Sequence, residues 1–257
     1  MLTIKRVLSA ALIAGVVAAP ASAKSSKPTI VLVHGAFADA SSWNGVISRL
    51  HEDGFEVVAA ANPLRGVKTD GDYVARIVSS IKMPVVLVGH SYGGSVISAS
   101  AVGMKNVKSL VFVGAFAPDI GESAADLSAK FPGSTLEPTL DEPVILADGG
   151  KDMYIAKAKF HGQFAADVPA AVAALMADTQ RPVTLSALTE AAPGAAWKEI
   201  PSYFIYGEKD KNIPAKALGW MAERASSKKT VAVSGASHVV MVSHPGEVVK
   251  IIEEAAR

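Results

Sequence analysis

The sequence predicts an α/β fold, a mostly parallel sheet flanked by helices and carrying an inserted cap. Three observations predict it. Apolar, β-branched runs of strand length recur along the chain. Stretches with a helical apolar period lie between them. One segment, about residues 118–193, interrupts the alternation before it resumes. With 257 residues, half of them hydrophobic, the chain can bury a sizeable core.

The N-terminus stands outside this pattern. It reads MLTIKRVLSAALIAGVVAAPASAK. Lys5 and Arg6 form a positive n-region, Val7 to Ala19 an apolar stretch, and residues 21–23 an A-x-A cleavage box. The apolar stretch is shorter than the roughly 20 residues that span a bilayer. The expectation is a signal peptide over residues 1–23, cleavage after Ala23 and export to a bacterial periplasm or medium. The 24–257 product would then be free of the membrane. It loses Lys5 and Arg6 and no acid, leaving 23 basic against 24 acidic residues. No basic excess points to nucleic acid. With no cysteine, disulfides, thiolate metal sites and a cysteine nucleophile are excluded together.

From there strand and helix alternate. PTIVLVHG (28–35) is a continuous apolar run, the mark of a buried parallel strand. FEVVAAA (55–61), PVVLVG (84–89), VKSLVFVGAF (107–116), PSYFIYG (201–207) and KTVAVSG (229–235) repeat it. Val74, Ile77, Val78 and Ile81 fall on one helical face, as do Val248, Ile251, Ile252 and Ala255. Within the interruption, residues 144–156 read as a hairpin about Asp148, Gly149 and Gly150, and residues 168–178 as an alanine-rich helix. A structureless loop of that length is rare in a compact domain, which makes the segment a cap. It carries Phe131, Leu136, Met153, Tyr154, Phe160, Phe164 and Leu175, with Met241 close behind a candidate base. No cluster of lysine or arginine accompanies them, so a neutral, fairly hydrophobic small-molecule substrate is expected.

The chemistry centres on LVGHSYGGSV (87–96). A strand runs into a serine flanked by glycines, and a helix of small residues follows. Such a sharp turn lifts Ser91 above the sheet and aims the helix N-terminus at developing negative charge. A serine hydroxyl needs a base to take its proton. Of six histidines, His238 lies on the loop after the last strand, at the carboxyl edge where ligands of such sheets bind. His34 and His90 read as structural, His51 as solvated, His161 as a cap residue and His244 as a helix start. The base needs a carboxylate to fix its tautomer. Asp210, in GEKDKNIP, lies deeper in its loop than Glu208, and Asp119 is a further candidate. The expected set is Ser91, Asp210 and His238.

LVHGAFADASSW, VGHSYGG, LVFVGAFAPD, GEKDKNIP and GASHVVM resemble the α/β-hydrolase superfamily, and within it the methylesterase and hydroxynitrile-lyase group. The resemblance spans nearly the whole mature chain. It implies an oxyanion hole made by the backbone amides of Ala36 and Tyr92, and serine ester hydrolysis with no metal and no cofactor. The similar lyases carry threonine where this chain has Gly35 and lysine where it has Val239, which favours esterase over lyase chemistry. A cofactor-free lyase or perhydrolase, and a ligand-binding protein of the same fold, are the alternatives.

Overall fold

The computed structural model describes residues 27–257. The expected signal peptide and its cleavage site lie outside the described residues. The strands are β1 (Thr29–Val33), β2 (Val57–Ala60), β3 (Val85–His90), β4 (Val107–Val113), β5 (Val144–Ile145), β6 (Lys151–Met153), β7 (Val183–Thr184), β8 (Ser202–Gly207) and β9 (Lys229–Val233). The helices are α1 (Asn44–Glu52), α2 (Val67–Ser80), α3 (Tyr92–Ser100), α4 (Ala124–Lys130), α5 (Lys157–Phe164), α6 (Ala170–Thr179), α7 (Leu185–Thr189), α8 (Ala215–Arg224), α9 (Val240–Ser243) and α10 (Pro245–Ala255).

Six strands form one sheet in the order β2-β1-β3-β4-β8-β9, and every pair is parallel. Each corresponds to one of the six apolar runs. β1 and β3 are buried along their whole length, as strands covered on both faces must be. α2 packs on α3 on one side of the sheet, and α1 packs on α10 on the other. The apolar face of α10, from Val248 to Ala255, is buried, and α10 lies against β4 and β8.

The chain passes from β1 outward to β2, then returns to place β3 on the other side of β1. A crevice opens beyond the carboxyl ends of strands at such a reversal. The loops after β1, β3, β4, β8 and β9 all leave the sheet at that edge.

The interruption between β4 and β8 holds α4 to α7 and a second, antiparallel sheet in the order β5-β6-β7. The expected hairpin is β5–β6, closed by the Leu146 amide donating to the Gly150 carbonyl at 2.8 Å. The expected helix is α6. Polar links tie this cap to the core. Arg65 reaches Asp152 at 2.5 Å and the Pro182 carbonyl at 2.8 Å. The Phe37 amide donates to the Arg181 carbonyl at 3.1 Å. Among the described residues no helix is long and apolar enough to cross a membrane.

Candidate active site

Ser91 occupies the turn from β3 into α3 with φ 52° and ψ −122°, a region that side-chain-bearing residues rarely enter. Surrounding bonds hold it there. The Ser91 amide donates to the Val113 carbonyl at 3.3 Å, and its own carbonyl accepts from the Gly94 and Phe116 amides at 3.0 and 3.1 Å. The flanking glycines are a steric necessity. A Cβ on Gly89 would lie 2.6 Å from the Gly93 carbonyl oxygen, and one on Gly93 2.5 Å from that of Val33. This close packing places Ser91, 7% exposed, in the wall of a cleft.

His238 lines the same cleft from the loop after β9, and its Nδ1 lies 2.7 Å from Asp210 Oδ2. The other carboxylate oxygen of Asp210 accepts from the amides of Asn212 at 2.8 Å and Ile213 at 3.0 Å. The loop after β8 therefore fixes the carboxylate, and the carboxylate fixes the ring. With Nδ1–H donating to Asp210, the lone pair of neutral His238 sits on Nε2. That atom is buried and has no hydrogen-bond partner. The structure thus brings Ser91, Asp210 and His238 to one site, with the Ser91 hydroxyl not yet bonded to Nε2. Such contacts commonly tighten only with substrate.

The competing carboxylates lie elsewhere. Glu208 is exposed. Asp119 pairs with Lys198 at 2.6 Å, and that contact holds its carboxyl below the usual range. The other histidines separate in the same way. His51 is exposed at the end of α1. His161 Nε2 bonds the Val168 carbonyl at 2.9 Å inside the cap. His244 precedes α10 and bonds the Ser243 hydroxyl at 2.9 Å.

His34 and His90 are buried beneath the site. His34 Nε2 accepts from the Asn62 amide at 3.0 Å, so Nδ1 carries the proton it shares with the Gly35 carbonyl at 3.0 Å. His90 Nε2 donates to the backbone carbonyl of His238 at 3.2 Å, and the two rings lie 4.7 Å apart. Burial, with His238 as a neighbour, pushes His90 well below the usual histidine range. Burial likewise lowers His34. Both stay neutral near pH 7, so no second cation sits against His238.

Ala36 and Tyr92 both line the cleft. As the first residue of α3, Tyr92 has no intrahelical acceptor for its amide. The Ala36 amide meets no protein acceptor among the described residues. Both donors are therefore available to a ligand oxygen. The Tyr92 side chain is anchored away from the cleft, its hydroxyl donating to Asp70 Oδ2 at 2.9 Å. Burial raises the Asp70 carboxyl, opposed by the Arg65 amide and the Tyr92 hydroxyl among its donors.

The cleft measures about 160 Å³. Phe37, Phe116, Leu136, Phe164, Leu185, Leu188 and Ile213 make it apolar, and no lysine or arginine lines it. Of the expected cap residues, Leu136 and Phe164 reach it. Phe160 and Met241 are buried in the core, and Phe131 packs on Trp220 at 5.8 Å. Sequence reasoning missed Phe116, Leu185, Leu188 and Ile213 as wall residues. Phe116 and Ile213 had a usable signal, their place on loops after strands at the active edge, Ile213 three residues past Asp210. Among the described residues no group of three or more histidine, aspartate or glutamate side chains is placed to hold a metal ion.

Comparison with known proteins agrees with this architecture. Residues 30–251 match the model of the alpha/beta hydrolase family. A putative chloroplastic methylesterase, methylesterase 11 of Arabidopsis thaliana, is 26% identical over 247 residues, 88% of this chain and 63% of that longer protein. An alpha-hydroxynitrile lyase of the same plant is 26% identical over 245 residues, 85% of this chain and 93% of the lyase. The crystal structure of polyneuridine aldehyde esterase superposes with a TM-score of 0.78 at 21% identity, covering 90% of this chain and all of that one. The matched span runs from β1 into α10 and includes the serine turn, the loops after β8 and β9 and the whole cap: the chain belongs to the alpha/beta hydrolase family.

Proposed function

We propose that this hydrolase is a serine-dependent carboxylesterase acting on small, neutral, fairly hydrophobic esters. The observation that carries the reading is the pairing of His238 Nδ1 with Asp210 at 2.7 Å while Nε2 is left without a partner in the cleft that Ser91 lines. In this mechanism Nε2 takes the Ser91 proton as the hydroxyl oxygen attacks the ester carbonyl. The Ala36 and Tyr92 amides hold the resulting oxyanion, a contribution worth roughly 3 kcal/mol per donor in comparable enzymes. The imidazolium, balanced by Asp210, returns its proton to the leaving alcohol. Water then attacks the acyl-enzyme by the same route, with His238 as base.

Size and polarity support the substrate class. A cavity of about 150 Å³ takes up a benzene ring, so the 160 Å³ cleft suits a short acyl chain or a small aryl group. An anionic substrate would find no cation on its walls. Steric space at Gly35 favours the esterase over the lyase. A Cβ there would stand 2.6 Å from the Ser91 Cβ and 2.7 Å from the His90 carbonyl oxygen, so this turn has no room for the threonine of similar lyases.

The test is a panel of p-nitrophenyl esters of graded acyl length, with mandelonitrile alongside and a fluorophosphonate probe to label the serine. Ester turnover with labelling at Ser91 is the expected result. Mandelonitrile cleavage without ester turnover would replace the reading with a lyase, and absence of labelling and turnover would replace it with a binding protein.

A further inference from the structure

A second cleft, about 450 Å³, lies beside the first, between α6 and the segment from Phe37 to Gly45. Val172, Leu175, Met176 and Val242 give it apolar walls. Its one charged lining residue, Asp39, is occupied locally, bonding the Ser41 amide at 2.7 Å and the Ser41 hydroxyl at 2.5 Å. Phe37 lines both cavities. Its own backbone is unusual, with φ 58°. A bulky residue is seldom found there, and such strain persists only where its surroundings enforce it, often at functional sites. Here they do. The Phe37 amide is tied to Arg181, and the ring meets Phe164 edge-to-face at 6.2 Å, beside His238.

We propose that Phe37 is a specificity-determining partition that shuts the reacting cleft off from a second subsite, a groove shaped to hold the apolar tail of a longer ester once the ring no longer stands between them. The inference rests on the esterase reading above. The occupant follows from continuity and chemistry: the groove adjoins the reacting carbonyl's position at Phe37, is nearly three times the volume of the reacting cleft, and offers an alkyl or aryl chain apolar contact with no free charge. The closed ring limits the enzyme to small esters. Its removal joins the two spaces. Each further methylene placed in apolar surroundings is worth a factor of about four.

The experiment compares wild type, Phe37→Ala, Phe37→Leu and Phe37→Ala/Leu175→Trp. Two ratios of kcat/KM are read: p-nitrophenyl octanoate to butanoate, for a tail on the acyl side, and octyl acetate to butyl acetate, for a tail on the alcohol side. Fluorophosphonate labelling reports competent folding, and Phe37→Leu carries the test if Phe37→Ala does not label. At least one ratio should rise about tenfold or more in Phe37→Ala, rise less in Phe37→Leu, and fall back when Leu175→Trp narrows the groove. Both ratios staying within about twofold of wild type, in protein that labels, overturns the partition. A rise that Leu175→Trp leaves untouched overturns the groove as the subsite. A wild type that neither labels nor turns over any ester shows instead that the esterase reading itself has failed, and the partition falls with it.

Discussion

Asp210→Asn is the sharpest test of the site, because the structure dictates which way the new amide must face. Asp210 Oδ1 accepts two backbone N–H groups, from Asn212 at 2.8 Å and Ile213 at 3.0 Å. An asparagine can satisfy both only with its carbonyl oxygen in that position. The opposite flip would set an NH₂ group against two donors and forfeit two buried hydrogen bonds, a loss of roughly 2–3 kcal/mol. The NH₂ group is therefore directed at His238 Nδ1, now 2.7 Å from a carboxylate oxygen. It donates where the carboxylate accepted, so the imidazole carries its proton on Nε2. That tautomer cannot take the Ser91 proton, and the imidazolium loses its counter-charge. The corresponding substitution in serine proteases lowers kcat about 10⁴-fold, or roughly 5 kcal/mol, and a loss of that order is expected here with the fold retained. The assay is steady-state hydrolysis of p-nitrophenyl butanoate, with urea unfolding as the control for stability. A folded Asp210→Asn protein within tenfold of wild-type kcat would refute the tautomer argument. Glu208→Gln, on an exposed residue, should change kcat less than about threefold.

Ser91→Ala should abolish fluorophosphonate labelling and lower turnover by roughly 10⁴–10⁶; more than a tenth of the activity remaining would remove Ser91 as nucleophile. Ser91→Gly should be equally inactive yet more stable than Ser91→Ala by about 1 kcal/mol, since glycine relaxes at φ 52°, and equal urea midpoints would contradict this. Acid should destabilise the fold through His34 and His90. Their folded-state values are lowered by burial, so below about pH 6.5 the unfolded chain binds more protons and stability falls with pH, at most on the order of 1 kcal/mol per pH unit for each histidine. Asp70, raised by burial, acts in the opposite sense. The His90 share is therefore read as the difference in slope between wild type and His90→Asn across pH 5.5–7.5, and identical slopes would sink it. Full-length protein produced in a Gram-negative host should be recovered from the periplasm with Lys24 as its first residue by mass spectrometry; an intact Met1 in the membrane fraction would argue for a retained anchor.

In β1 and β3 burial on both faces writes itself as near-continuous runs of valine, isoleucine and leucine, while the less buried β2, β8 and β9 were legible from shorter apolar runs that include alanine, tyrosine and threonine. Ser91, Asp210 and His238 could be grouped because each follows such a run, and parallel strands deliver all those loops to one edge. The mostly parallel sheet that the sequence implies is the one observed, with every pairing in the six-stranded sheet parallel and only the small cap sheet antiparallel. What could not be read depends on contacts between distant segments. The two-residue strand Val183–Thr184 exists only because Lys151–Met153 lies beside it. The bond from His90 to the His238 carbonyl spans 148 residues. Leu185 and Leu188 turn toward the cleft because of how α7 sits against α4, which no local period records. The positive φ of Phe37 leaves no mark in the sequence, because the residue is not a glycine.

The cap enters and leaves the sheet at neighbouring strands, for β4 and β8 are paired directly, with Leu110 opposite Ser202 and Val113 opposite Ile205. Residues 114–201 are thus a closed excursion from one sheet position to the next. Loop-closure entropy grows only logarithmically, so halving or doubling that excursion would shift the closure term by only about 0.6 kcal/mol. The sheet and the loops holding Ser91, Asp210 and His238 sense the distance between the excursion's ends far more than its length. Evolution or design can therefore lengthen, shorten or replace most of the cap without renegotiating the pairing of β4 with β8. Attachments to the rest of the chain limit that freedom, among them Arg65 to Asp152, Phe37 to Arg181, the Leu64 carbonyl to the Thr184 amide at 3.1 Å, Gln163 to the Lys211 carbonyl and to Asn212 beside Asp210, and the Phe116 amide to the Ser91 carbonyl. A transplanted cap has to keep these anchor points if the loops at the catalytic edge are to stay where they are.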